Sequence, residues 1–245
     1  MSHLLQQLRL FAVFAVCLLF VSGCFYPQDT ESGDHRGHPQ TEQLQSVQIA
    51  VEEYQSAHGV PPIDDFEGDT NLYERYQVDF QALIPGYMQE PPASSFENGG
   101  HYHYTLINVE EEPEVRVIDA VNLQEARDFE RDIREYERAN EFPPIEDMIG
   151  PGVFSLDYER LGYDEQPTVE SPYFATSLPL YLDENGEVII DYSSDLNRIL
   201  QEGDPEFEDE DDIRSILTEE FAVAPVLSRP YTIENGEPAF ADKRD

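Results

Sequence analysis

The run His101-Tyr102-His103-Tyr104 is the first place where residue type and spacing suggest chemistry. On a strand, side chains alternate between faces, so His101 and His103 would share one face, as metal-binding pairs do. No third ligand is identifiable beside them. Exposed histidines on a hairpin are therefore expected, and Tyr102, Tyr104, His101 and His103 are carried forward as a candidate binding surface. His35 and His38 are two further imidazoles in a Pro- and Gly-rich stretch, a weak metal site. The acid run Glu202 to Asp212 places oxygens at Asp204, Glu206 and Glu208, like the start of a calcium loop. That loop needs Gly at its sixth position and Glu at its twelfth, where this chain has Asp209 and Ser215. A solvated loop before a helix N-terminus is the preferred reading, since acids suit the helix dipole there. Eight tyrosines (Tyr73, Tyr76, Tyr87, Tyr102, Tyr104, Tyr158, Tyr163 and Tyr173) could line a sugar or peptide groove, or simply half-bury in strands and loops. There is no G-x-S-x-G, H-E-x-x-H, C-x-x-C or phosphate-binding glycine loop. With acids everywhere, no carboxylate pair can be singled out for acid–base work. No enzyme activity, no cofactor and no metal are expected.

The remaining reactive groups are two thiols, Cys17 and Cys24. A short N-terminus with Arg9 precedes an apolar run from Leu10 to Phe20, which ends at Val21-Ser22-Gly23-Cys24. A basic start, about a dozen apolar residues and small residues before a cut describe a secretory signal. The run is too short for a spanning helix, which needs about 20 apolar residues. Val-Ser-Gly-Cys resembles the lipobox of bacterial lipoproteins. That resemblance implies removal of residues 1–23, acyl chains such as palmitate on a diacylglyceryl group at the Cys24 thiol, and a chain held at the cell membrane on its extracytoplasmic face. The alternative is a plain signal peptide with a chance Cys. Cys17 would leave with the signal, so the mature chain could form no internal disulfide.

The charge bounds the partners. The chain has 52 acidic and 14 basic residues, a formal charge of −38 and a pI near 4.1. It cannot offer the Lys/Arg patch that nucleic acid requires, and anionic headgroups should repel it. The plainest reading of such acidity is a solvated surface suited to salty or alkaline surroundings. With 40% hydrophobic residues, 14 Tyr and 14 Phe, there is material for a core. About 220 residues after Cys24 suit one large domain or two small ones.

The elements that position these residues are legible as a repeat. Val51-Glu52-Glu53-Tyr54 through Val60-Pro61-Pro62-Ile63 is echoed by Ile133-Arg134-Glu135-Tyr136 through Phe142-Pro143-Pro144-Ile145, a constant offset of 82 (Tyr54 to Tyr136). Leu44, Val47, Val51 and Tyr54, matched by Ala126, Phe129, Ile133 and Tyr136, lie on one face of a helix. Gly59 suits the left-handed conformation after the first helix, and Asn140 or Glu141 stands there in the second. Pro-Pro then blocks continuation. Asn122 with Glu125 predicts a capping box at the second start. A long loop and a hairpin should follow each helix. The first hairpin is Tyr102 to Val109 with Glu114 to Ala120; the second is Leu178 to Leu182 with Glu187 to Tyr192 around Asn185-Gly186. Pro230 to Glu237 echoes Leu180 to Glu187, and Ile213, Ile216, Leu217 and Phe221 suggest a short helix before it. The predicted class is α+β. Its parts are a signal (1–23), a flexible tether (24–40), helix-plus-hairpin units at 41–121 and 122–203, and an acidic partial third at 204–245.

The lipobox together with the tandem Pro-Pro-Ile units resembles a group of Bacillus-type YphF-like lipoproteins. Some of that group are labelled as transporter binding proteins. Tyr54, Gly59, Pro61, Leu83 to Tyr87, Pro91 and Tyr102-x-Tyr104 are similar to the body of type II pseudopilins, which has a helix, a Pro-punctuated loop and a small antiparallel sheet. Here a lipobox stands where pseudopilins carry their processing site and long hydrophobic helix. The expected function is a non-catalytic envelope lipoprotein that binds or scaffolds another envelope protein. The alternative is the substrate-binding subunit or an accessory of an ABC importer. A cell-wall hydrolase would be a third class, but it lacks identifiable residues.

Overall fold

The computed structural model describes residues 41–64, 71–203 and 212–241. Cys24, the signal stretch, the tether and residues 204–211 of the acid run lie outside the described residues.

Helix α1 (Thr41–His58) buries Val47, Ala50 and Val51, with Leu44 and Tyr54 partly covered on the same stripe. It stops where Gly59 takes φ +77° and its N–H reaches the Gln55 carbonyl at 2.7 Å. A single turn, α2 (Phe80–Leu83), is capped by Asp79, whose Oδ1 accepts the Gln81 and Ala82 N–H groups. Strands β1 (Tyr102–Ile107) and β2 (Glu114–Asp119) form the first hairpin, with Tyr104 opposite Val117. Helix α3 (Ala120–Asn140) follows directly and buries Leu123, Ala126, Phe129 and Ile133. Each such aliphatic or aromatic burial is worth about 1.5–3 kcal/mol.

The start of α3 differs from the sequence expectation. The helix begins a turn before Asn122, because the N-cap is Asp119, which accepts the Val121 and Asn122 N–H groups at 2.8 and 3.2 Å. Asn122 is inside the helix, buried, and donates its amide to the Glu170 carbonyl. Nothing in Ala120-Val121 breaks a helix, so propagation back to the first available cap wins. At the other end, of the two residues expected there, Glu141 takes the left-handed conformation at φ +75°. Asn140 stays helical and donates its side-chain amide to the Tyr136 carbonyl.

The long loop expected after α3 contains three strands. Strands β3 (Ile145–Gly150), β4 (Val153–Leu156) and β5 (Thr168–Glu170) precede the second hairpin, β6 (Ser177–Asp183) with β7 (Val188–Ile190). The order is β3-β4-β6-β5, with β7 also paired to β6, all antiparallel. Asp183 Oδ1 holds the turn by accepting the Asn185 and Glu187 N–H groups. Helix α4 (Ser193–Glu202), the short helix α5 (Ser215–Glu220) and hairpin β8 (Tyr231–Glu234) with β9 (Glu237–Phe240) complete the order. Asn235 and Gly236 both have positive φ, the requirement of a two-residue type I′ turn.

One buried cluster runs from Val47 to Tyr231, so the described parts share a core. α1 packs on β2, and α3 packs on β5, β7 and β2. The stretch 222–227 ties the hairpins together. Val117 N–H donates to Ala222 O, Ala224 N–H to Val117 O, and Ile190 N–H to Leu227 O. Residues 51–62 and 133–144 show the same succession of buried, half-buried and exposed positions. Pro62 and Pro144 each accept an aspartate N–H, from Asp79 at 2.9 Å and Asp157 at 2.8 Å. Each of those aspartates then caps a short helical turn.

Candidate binding surface

The four residues singled out on β1 do not form one surface. Tyr102 and Tyr104 are core residues, 5% and 2% exposed. Tyr104 meets the Phe80 ring edge-on at 5.6 Å, and its hydroxyl lies 2.8 Å from Ser94 Oγ. The two tyrosines drop out of the candidate surface because Phe80 of α2 and the Ser94-Ser95 stretch after it pack against them. His101 is exposed, whereas His103 is half-buried with its ring 4.6 Å from Phe96. Burial lowers the His103 pKa. Among the described residues, no group of three or more His, Cys, Asp and Glu is arranged to hold a metal. Of the other tyrosines, Tyr73 and Tyr173 are also buried. Tyr87 joins a small cluster at the end of α1, where Tyr54 stacks on His58 at 4.0 Å.

Tyr73 and Tyr76 do line a cleft of about 360 Å³, closed by the Ile107-Asn108 end of β1 and by α5. Burial pushes the Tyr73 hydroxyl up to about 12, so it is a neutral donor. Arg116 is in the wall but donates to the Thr218 carbonyl at 2.9 Å and to Glu114 Oε2 at 2.7 Å. Arg214 is buried over the Tyr73 ring and chelated by Asp212. The cleft therefore offers tyrosine surface and carboxylates more than a free cation.

A second site was not foreseen. β3 is the end strand of its sheet and every residue from Ile145 to Ile149 is exposed. Met148 is 68% exposed, Ile145 48% and Ile149 41%, with Phe142 at 66% just before the strand. Glu146 and Asp147 stand among them. The pairing with β4 is irregular, shifting register at Met148 and Gly150. At its far end, β3 runs into a pocket of about 370 Å³ between Tyr181, Asp191 and hairpin β8–β9. Gly150 is needed here, since a Cβ would sit 2.9 Å from Phe240 Cδ2. Asp191 is buried and fixed: its Oδ1 accepts Tyr231 O–H at 2.8 Å and Ser193 N–H at 2.9 Å. Glu234 is the exposed acid of the rim, and among the described residues neither β3 nor the pocket wall contains Lys or Arg.

The sequence reading also missed a buried acid. Asp195 in the first turn of α4 is 1% exposed. Its carboxylate accepts Ser171 O–H at 2.8 Å and Thr176 O–H at 3.2 Å. Burial outweighs these hydrogen bonds and raises its pKa to about 6. Ser171 Oγ in turn accepts the Tyr173 and Phe174 N–H groups. The network fixes the loop before β6 to α4. No motif announces it, because its members are brought together only by the fold.

Among the described residues no helix is long and apolar enough to cross a membrane. The fold and surfaces define an α+β protein whose described residues include an acidic-apolar strand edge and two clefts. Residues 40–119 match the YphF family N-terminal domain, so this part of the chain is YphF-like. No curated protein and no solved structure matches the chain.

Proposed function

We propose that the protein is a membrane-anchored extracytoplasmic lipoprotein that catalyses no reaction and binds or scaffolds a protein of the cell envelope. The observation that carries this reading is the sequence Val21-Ser22-Gly23-Cys24 after an apolar run, ahead of a body with charge −38. Acyl chains on Cys24 would hold the body to the membrane, while its own charge keeps it off anionic headgroups. One acyl chain binds marginally and two bind firmly. Residues 24–40 would act as a tether with a mean reach of roughly 20–25 Å. The exposed apolar edge of β3 among carboxylates supports a contact role. Complementary charge on the partner would speed encounter more than it raises affinity. Nucleic acid is not among the expected partners.

Labelling cells with a radioactive fatty acid tests the anchor. Wild type should carry label and sediment with membranes, and Cys24→Ala should lose both. Unlabelled wild type recovered only from the medium would overturn the assignment. The cleft beside Tyr73 favours a second reading, as the substrate-binding subunit or an accessory of an importer. A small molecule that co-purifies and is lost on Tyr76→Ala would support that reading instead.

A further inference from the structure

We propose that the open edge of β3, with the pocket at its end, is a docking site for an extended, basic segment of a partner protein. The segment adds as a strand beside Ile145–Gly150 and sends one Lys or Arg side chain into the pocket. The proposal rests on reading the protein as a contact module and names the strand and the partner's chemistry.

An end strand presents unpaired N–H and C=O groups on one side, a ready template for another strand. Proteins usually cover such edges or keep them polar. This edge instead exposes Ile145, Met148 and Ile149, with Phe142 just ahead of it. These side chains supply apolar contact for a strand laid alongside. The charges select which strand. Glu146 and Asp147 lie within β3, and Asp191 and Glu234 belong to the pocket it enters. Neither part contributes a Lys or Arg. Arg229, near the Pro151-Gly152 turn, is buried and held by Glu184 at 2.9 Å and Asp183 at 3.6 Å. A second copy would bring the same acids to the edge and be repelled, as would the acid run 204–211. A basic strand meets opposite charge at Glu146 and Asp147 and again at Glu234 on the pocket rim. In the pocket, Tyr181 and Phe240 provide faces for a cation and Glu234 a counter-charge.

The test is hydrogen exchange by mass spectrometry on the full-length chain. The probe is a synthetic peptide of about ten residues alternating Lys with Val. Exchange at 145–150 should slow about fivefold at saturation, with little change along α1. The Glu/Val peptide should give no protection. A Lys/Val peptide N-methylated at alternate residues keeps its charge but cannot pair as a strand, and should also fail. Glu146→Lys with Asp147→Lys should weaken binding about tenfold while leaving the thermal unfolding curve in place. Met148→Arg, made separately, should weaken it as well. Protection that spreads over the acidic surface, or survives N-methylation, would overturn strand addition. So would β3 amides already slow in the free chain, which would show that residues 1–40, 65–70, 204–211, 242–245 (with Lys243 and Arg244) or a second copy covers them. An envelope partner crosslinked in cells, combined with no peptide protection at 145–150, would overturn this site and leave the contact function standing.

Discussion

Asp195 is a carboxyl group whose burial makes it hold its proton more tightly than in water. Its pKa is about 6 in the folded chain and near 3.8 as an unperturbed group. The folded state therefore holds the proton more tightly. The contribution to stability is fully present below about pH 4 and is lost as pH rises through 6, an effect on the order of 3 kcal/mol. Asp195→Asn should flatten this slope. Urea midpoints at pH 4.5 and 7.5 should differ less in the variant than in wild type; an equal difference would show that Asp195 is not the source. Caps make the second residue-scale prediction. Asp119→Ala removes the acceptor for two N–H groups at the start of α3 and should cost about 1–2 kcal/mol by chemical denaturation. Asn122→Ala should act differently, loosening the link to Glu170 without moving the helix start. Sequence alone pointed to Asn122 because Asn-x-x-Glu has the shape of a capping box. Asp119 was hidden because it closes a strand as well as opening a helix.

At the scale of elements, long amphipathic helices and Asn-Gly turns were legible, because each carries its own periodicity or turn chemistry. α1, the body and C-terminal end of α3, and the hairpins β1–β2 and β6–β7 lie where those signals place them. β3, β4 and β5 were not legible. They are three to six residues long, and β3 has neither a buried face nor alternation, so only its partner strand defines it. The candidate surface failed for the same reason. Tyr102 and Tyr104 are ordinary strand residues until something covers them, and what packs on them is Phe80 of α2 and the stretch at Ser94-Ser95. Gly150 gives this scale its test. Gly150→Ala should press on Phe240, displace hairpin β8–β9 and cost about 1–3 kcal/mol. Adding Phe240→Leu should restore part of that loss; if the double variant is no more stable than the single, the contact does not set the hairpin's position.

For the whole molecule, 52 acids against 14 bases make self-repulsion a standing load on the folded state. The melting temperature should rise between about 10 and 200 mM NaCl, as the screening length shortens from roughly 30 Å to under 10 Å. A flat or falling curve would mean that ion pairs outweigh repulsion. The strap at 222–227 has a consequence in time. The chain emerges N-terminus first, from the ribosome and again from the export channel on the proposed reading, so β2 and β7 exist as polymer well before the residues that close their edges. Until Ala222, Ala224 and Leu227 arrive, both hairpins present bare strand edges, the condition under which nascent chains misassociate. Folding should therefore be completed late, and a chain stopped after Glu220 should be degraded or retained by chaperones, whereas one stopped after Ala241 should mature normally.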